Sequence, residues 1–312
     1  MRRAGQGLLV WLALAAVAAS AWAGEKPLQV VATLSTFADL ARTIGGPHIN
    51  VSAIASPKFN PHFIEPKPSD VLKVKRADLF IHAGLDLEAW RPPLLDAAGN
   101  LEVMFGGDRQ LDLSQDILLL EVPTKPVSRA QGDIHLYGNP HYWVDPENAR
   151  IMARHIAEKL SAVDPVHAQD YQRNLQEFLQ RLEARITQWR SELAAVKGQE
   201  LVGYHNEWPY LMRFAGLKME QFLEPKPGIP PTPKQVEFID QYVQSHGIRA
   251  LVISTYFPMG TAEAVARQTG VHVVTLAQNV GETADAPDYL AMVDYNVRQL
   301  LAALQPAIGT GR

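Results

Sequence analysis

Residues 164–198 read DPVHAQDYQRNLQEFLQRLEARITQWRSELAAVKG, and the apolar members of this stretch decide how the chain is organised. Tyr171, Leu175, Phe178, Leu182, Ile186, Trp189, Leu193 and Val196 recur at steps of three and four, which stacks them on one face of a helix. Neither proline nor glycine interrupts the run between Val166 and Lys197. The pattern predicts one amphipathic helix over 164–198, long by globular standards and suited to act as a rigid strut between two lobes.

On both sides of the strut, short β-branched runs alternate with helical patterns. Before it come LQVVATL (28–34), a helix STFADLARTIGG with Ser35 or Thr36 as its cap, and INVSAIAS (49–56). A proline-rich loop, a helix capped by Ser69, the strand ADLFIHAG (77–84), a helix over 87–98 and a strand LEVMFG (101–106) follow. Asp145 and Pro146 open another helix as cap and first residue. After the strut the rhythm resumes with ELVGYH (200–205), RALVIST (249–255) and VHVVTLA (271–277), and a last helix spans 288–304. The expected fold class is α/β: two lobes, each a largely parallel helix-covered sheet, joined by one long rigid helix. The boundaries are an N-terminal lobe over 24–163, the linking helix over 164–198 and a C-terminal lobe over 199–312.

Composition narrows the function. Of 312 residues, 47% are hydrophobic and 20% charged, and the net charge is −4, so no basic footprint for nucleic acid exists. Residues 1–23 combine two arginines, an apolar run from Leu8 to Ala19 and the triplet Ala21-Trp22-Ala23. These are the three regions of a secretory signal, with cleavage expected after Ala23. The chain has no cysteine, so any metal site must use nitrogen and oxygen donors.

Ten histidines remain to be sorted. His155 and His167 fall in helical stretches, His48, His246 and His272 flank strands or turns, and His82 sits inside an apolar strand, where a satisfied core histidine is the better reading. His62, His135, His141 and His205 lie in loops. His62, His141 and His205 follow strands or enter a helix, and loops beyond the carboxyl ends of strands are where α/β sheets bind ligands. They are separated by 79 and 64 residues, so spacing by itself does not make them one site.

The words around these histidines are more specific. NPHFIEPKPSD (60–70), GNPHYWVDPENA (138–149) and VGYHNEWPYLMRFAGL (202–217), in this order, resemble the metal-binding proteins of zinc and manganese ABC importers, the cluster A-I or TroA-like solute-binding family. The likeness takes in the signal segment, the strut and PTPKQVEFIDQYVQSHGIRALVISTYF, and so nearly the whole mature chain. It implies a two-lobed receptor, not an enzyme, that captures a divalent transition metal between its lobes and hands it to a membrane ABC permease. His62, His141 and His205 match the family's first three ligands. Three imidazoles favour Zn2+, with Mn2+ and Cu2+ as alternatives.

The sequence departs from the family at the fourth ligand. Where an aspartate is usual, VVTLAQNVGE carries Ala277 and Gln278. Gln278, Glu207, Glu282, His135 or water are the candidates to complete the set. Glu65 is a candidate to orient His62, and Tyr142, Trp143 and Trp208 to keep the cleft dry. Imidazole protonation is expected to compete with metal as pH falls through about 6.5. A zinc hydrolase with Glu207 as base and a periplasmic metal chaperone are the alternative readings. No lipobox cysteine lies near Gly24, so the expectation is a monomer free in the periplasm, exported but not lipid-anchored.

Overall fold

A computed structural model describes residues 26–125, 135–224 and 228–305; the signal segment expected over 1–23 lies outside the described residues. The first lobe contains β1 (Leu28–Ala32), α1 (Ser35–Gly45), β2 (Ile49–Ala53), α2 (Pro68–Lys75), β3 (Leu79–His82), α3 (Arg91–Ala98) and β4 (Gln110–Asp112). α4 (Pro146–Val163) and α5 (Ala168–Leu193) come next. The second lobe contains β5 (Glu200–Gly203), α6 (Pro209–Ala215), β6 (Lys218–Phe222), α7 (Pro233–His246), β7 (Ala250–Ser254), α8 (Met259–Thr269), β8 (His272–Leu276) and α9 (Tyr289–Leu304).

The two sheets share one topology. Their orders are β2-β1-β3-β4 and β6-β5-β7-β8, with every paired strand parallel. Parallel neighbours need helical crossovers that cover the faces, which is why β7, ALVIS, is buried at all five positions. In each sheet the chain order reverses direction between the first strand and the third, and this switch point opens a crevice at the carboxyl ends.

The strut is α5, 26 residues and about 39 Å long at 1.5 Å per residue. It is shorter than the helix expected over 164–198, because both ends tighten into 3₁₀ turns, Pro165–His167 and Ala194–Val196. All eight residues of the apolar stripe are buried in the main core, which also takes in residues of both lobes. Asn174 Nδ2 donates to Ile44 O of α1, and Trp189 Nε1 donates to Asp294 Oδ1 of α9, so the helix is pinned to both lobes.

Three local expectations change. Ser35 and Thr36 do not cap α1; the Ser35 hydroxyl donates to Val280 O, and Thr36 Oγ1 accepts from Val280 N, linking the two lobes. Ser69 lies inside α2, and Asp70 Oδ2 instead accepts the Lys67 N–H at that helix start. The stretch 101–106 forms turns rather than a strand, with Leu101 78% and Phe105 93% exposed. Val103 is its one fully buried side chain, too little apolar surface to hold a strand on the sheet, and the fourth strand forms further on at β4.

Candidate metal centre

His62 and His141 are delivered by the same device. Each follows an Asn-Pro pair, Asn60-Pro61 and Asn139-Pro140. Proline fixes φ and removes a donor, so the chain turns tightly and the asparagine oxygen faces the residue two places on. Asn60 Oδ1 accepts from His62 N at 3.0 Å and lies 2.6 Å from His62 Nδ1. Asn139 Oδ1 does the same for His141, at 3.1 and 2.9 Å. The third ring, His135, has Nδ1 3.1 Å from Asp86 Oδ1, while Asp86 Oδ2 accepts the Leu136 N–H.

An oxygen acceptor at each Nδ1 puts the proton there and leaves the Nε2 lone pair free. The consequence is sharpest where His62 Nε2 and His135 Nε2 stand 3.2 Å apart. Two lone pairs at that distance repel unless a cation lies between them. Two ligands of a tetrahedral ion, each 2.0–2.1 Å from it, are about 3.3 Å apart. His62, His135 and His141 form the one group of metal-ligating side chains among the described residues, with one donor atom from each within 4.8 Å of the others. His141 is fully buried, and its Nε2 has no hydrogen-bond partner.

His205 completes the ring of imidazoles from the other lobe, just past the end of β5. The first three ring centroids are 5.1, 5.1 and 5.7 Å apart, whereas His205 is 6.4 Å from His62 and from His141. Rings that share a tetrahedral ion have centroids roughly 5 Å apart, so His205 stands about 1 Å outside closure. Its Nδ1 is buried without a hydrogen-bond partner, 3.7 Å from Glu224 Oε1.

The carboxylate and amide candidates are engaged elsewhere. Glu207 is buried, with Oε1 accepting from Ser254 Oγ and Oε2 2.7 Å from the Tyr256 hydroxyl. Tyr256 Oη also lies 2.8 Å from Gln278 Oε1. One hydroxyl proton cannot serve both acceptors, but burial raises the Glu207 carboxyl to about 8. Protonated, it can donate to Tyr256, which then donates to Gln278. Glu282 clamps a turn by accepting from Gln278 N, Asn279 N and Thr255 Oγ1. Glu65 is exposed, and the His62 Nδ1 it was expected to orient belongs to Asn60. Asn60, Asn139 and Asp86 were missed by sequence reasoning; the doubled Asn-Pro-His triplet is the signal that could have found two of them.

Burial governs the electrostatics. Desolvation, with the neighbouring imidazoles adding to it, pushes His62 and His141 well below the usual imidazole range, and His205 down to about 3. The rings are therefore neutral lone-pair donors across the physiological range. Tyr142, Trp143 and Trp208 are fully buried; the Trp143 ring lies 5.5 Å from that of His141, and Trp143 Nε1 donates to Gln278 O across the lobe boundary. His82 is a core histidine, with Nδ1 accepting the Gly84 N–H.

A two-lobed α/β fold with a cluster of imidazoles in loops beyond its strands defines a metal-binding receptor. The chain belongs to the family described as zinc-uptake complex component A, periplasmic, whose model matches residues 30–303. It is 26% identical over 281 residues to the iron-binding protein YfeA of Yersinia pestis, covering 87% of this chain and 85% of that one. It is 25% identical over 292 residues to the manganese ABC transporter substrate-binding lipoprotein PsaA of Streptococcus pneumoniae, covering 90% of each. A crystal structure of ZnuA shares the fold with a TM-score of 0.74 at 21% identity, over 90% of this chain and 100% of that one. The protein is thus a substrate-binding component of a metal ABC transporter, with a metal ion as cargo, a permease as partner and no enzymatic turnover.

Proposed function

We propose that this protein is a periplasmic zinc receptor that takes Zn2+ on His62, His135, His141 and His205 and delivers it to its permease. What supports the reading is the donor set: four imidazoles, three with Nδ1 at an oxygen acceptor, and no carboxylate in the cluster among the described residues. Manganese prefers oxygen ligands, while a tetrahedral nitrogen site suits zinc. His135 takes the fourth place left open by Gln278. The receptor acts as a monomer in the periplasm, exported with loss of residues 1–23.

The first three rings receive the ion, and His205 closes on it by about 1 Å as the second lobe approaches. Opening of the same lobe provides the release. Metal analysis of the mature protein beside a His62/His141/His205 triple alanine variant tests this, with competition titrations for zinc, manganese, iron and copper. One equivalent of zinc, held more tightly than manganese or iron and lost in the variant, is the expected result. Manganese or iron held more tightly than zinc would overturn the choice of metal, and equal metal in both proteins would overturn the site.

A further inference from the structure

We propose that Glu121 is a positioning residue that sets the orientation of His141 and ties it to the His205 loop, an inference that rests on the zinc-site reading above. Three non-glycine residues among those described have left-handed backbones: Leu85, Asp116 and Glu121, the last with φ +55°. Strain of this kind persists where the surrounding structure uses it. Leu85 immediately precedes Asp86, which holds His135, and Glu121 accepts from Asn139, which holds His141.

The chain of hydrogen bonds is directional. Glu121 Oε2 can only accept, and it takes Asn139 Nδ2 at 3.0 Å and Asn206 Nδ2 at 2.8 Å. Asn139 Nδ2 also donates to Asn206 O at 3.1 Å. With its amino group fixed by two acceptors, the Asn139 amide has only its oxygen left to face His141 Nδ1. Nδ1 must then carry the proton, and Nε2 is left as the donor to metal. The backbone around the carboxylate is held as firmly: Asn139 N donates to Leu120 O, and the Tyr210 hydroxyl accepts from Leu120 N while donating to Asn139 O. Asn206 follows His205, so one carboxylate oxygen joins the loops that carry the two histidines.

A purely structural role and a positioning role diverge in Glu121→Gly. Glycine suits φ +55° better than glutamate does, so the metal-free variant should keep or raise its melting temperature. Zinc affinity should nevertheless fall by about tenfold or more, the usual consequence of removing a group that orients a metal-binding histidine. The visible spectrum of the cobalt-loaded variant should change as well. Glu121→Gln retains an oxygen for both asparagines and should restore affinity and spectrum. Wild-type affinity and spectrum in Glu121→Gly would overturn the proposal, as would a Glu121→Gln variant that keeps the low affinity and altered spectrum of Glu121→Gly. If the wild type itself holds no stoichiometric zinc, the zinc-site reading fails instead.

Discussion

The two halves of the centre are built to different standards. On the first-lobe side, His62, His135 and His141 each have Nδ1 against a fixed oxygen, from Asn60, Asp86 and Asn139. On the second-lobe side His205 has no such partner, and Glu207, Tyr256 and Gln278 spend their polar atoms largely on one another. The pre-set half fixes where the ion sits, because its lone pairs converge before metal arrives. The other half is left adjustable, which a receptor needs if it must let go.

Removing a ligand from either half gives the largest test of this asymmetry. His141→Ala should weaken zinc binding by about 1,000-fold, since one fixed donor is worth several of the roughly 10–16 kcal/mol of a strong zinc site. His205→Ala should cost only about 10–100-fold, with a water able to take the vacated position. Competition titration of the two single variants decides it. Equal losses would show that the halves contribute alike and that the 6.4 Å spacing of His205 carries no meaning.

A smaller effect is expected one layer out. Asn139→Ala and Asn60→Ala free the Nδ1 of their rings and should lower affinity by roughly 10–100-fold. The same treatment of Tyr256 touches no ligand. If the asparagine variants bind as the wild type does, preorganisation of the first half contributes nothing and proximity alone explains the cluster.

Much of this was legible in the sequence, for a physical reason. The stripe from Tyr171 to Val196 is a helix whose whole face is buried, and such faces write themselves into apolar periodicity. The alternation around β1, β3, β5 and β7 is as plain, because strands buried on both faces are apolar throughout. The convergence of His62, His135 and His141 was not legible from their spacing, since it depends on how distant loops meet; only the resemblance put His62 and His141 in one site. LEVMFG misled because two of its four apolar residues, Leu101 and Phe105, stand exposed at the surface. Ser35 and Thr36 misled because both hydroxyls serve the opposite lobe, a tertiary use that no local cap signal reveals.

Acidity offers a finer comparison. Imidazole chemistry suggests that affinity falls through pH 6.5, but burial holds His62, His141 and His205 below that range in the folded protein. Zinc affinity should therefore change by less than about tenfold between pH 7.5 and 6. The stability of the metal-free protein should respond instead. Below about 6.5 the unfolded chain takes up protons that the folded rings refuse, so stability falls with pH, for His205 down to about 3. Each of these histidines contributes about 1 kcal/mol per pH unit in that window. Urea unfolding at pH 6.5 and 5.5 should show a larger loss for the wild type than for the triple alanine variant. A steep loss of zinc above pH 6 would instead mean that water reaches the open site.

The smallest effect belongs to Tyr256→Phe. Glu207, raised to about 8, loses one hydrogen-bond partner, and so does the Gln278 amide oxygen, both inside a buried network. The expected loss is about 1–3 kcal/mol of stability in urea unfolding at neutral pH, with zinc affinity within about twofold of wild type. The sign of the pH response sharpens the point, because Glu207 works opposite to the histidines. Its folded proton is retained up to about 8 while the unfolded carboxyl gives its proton up near 4.5, so its burial costs stability increasingly as pH rises between those values. Removing the hydroxyl takes away a partner of whichever form the carboxyl adopts, and should steepen that loss only slightly. A large drop in zinc affinity would move Tyr256 and Gln278 from the supporting network into the site itself, and the second half would no longer be the loosely organised one.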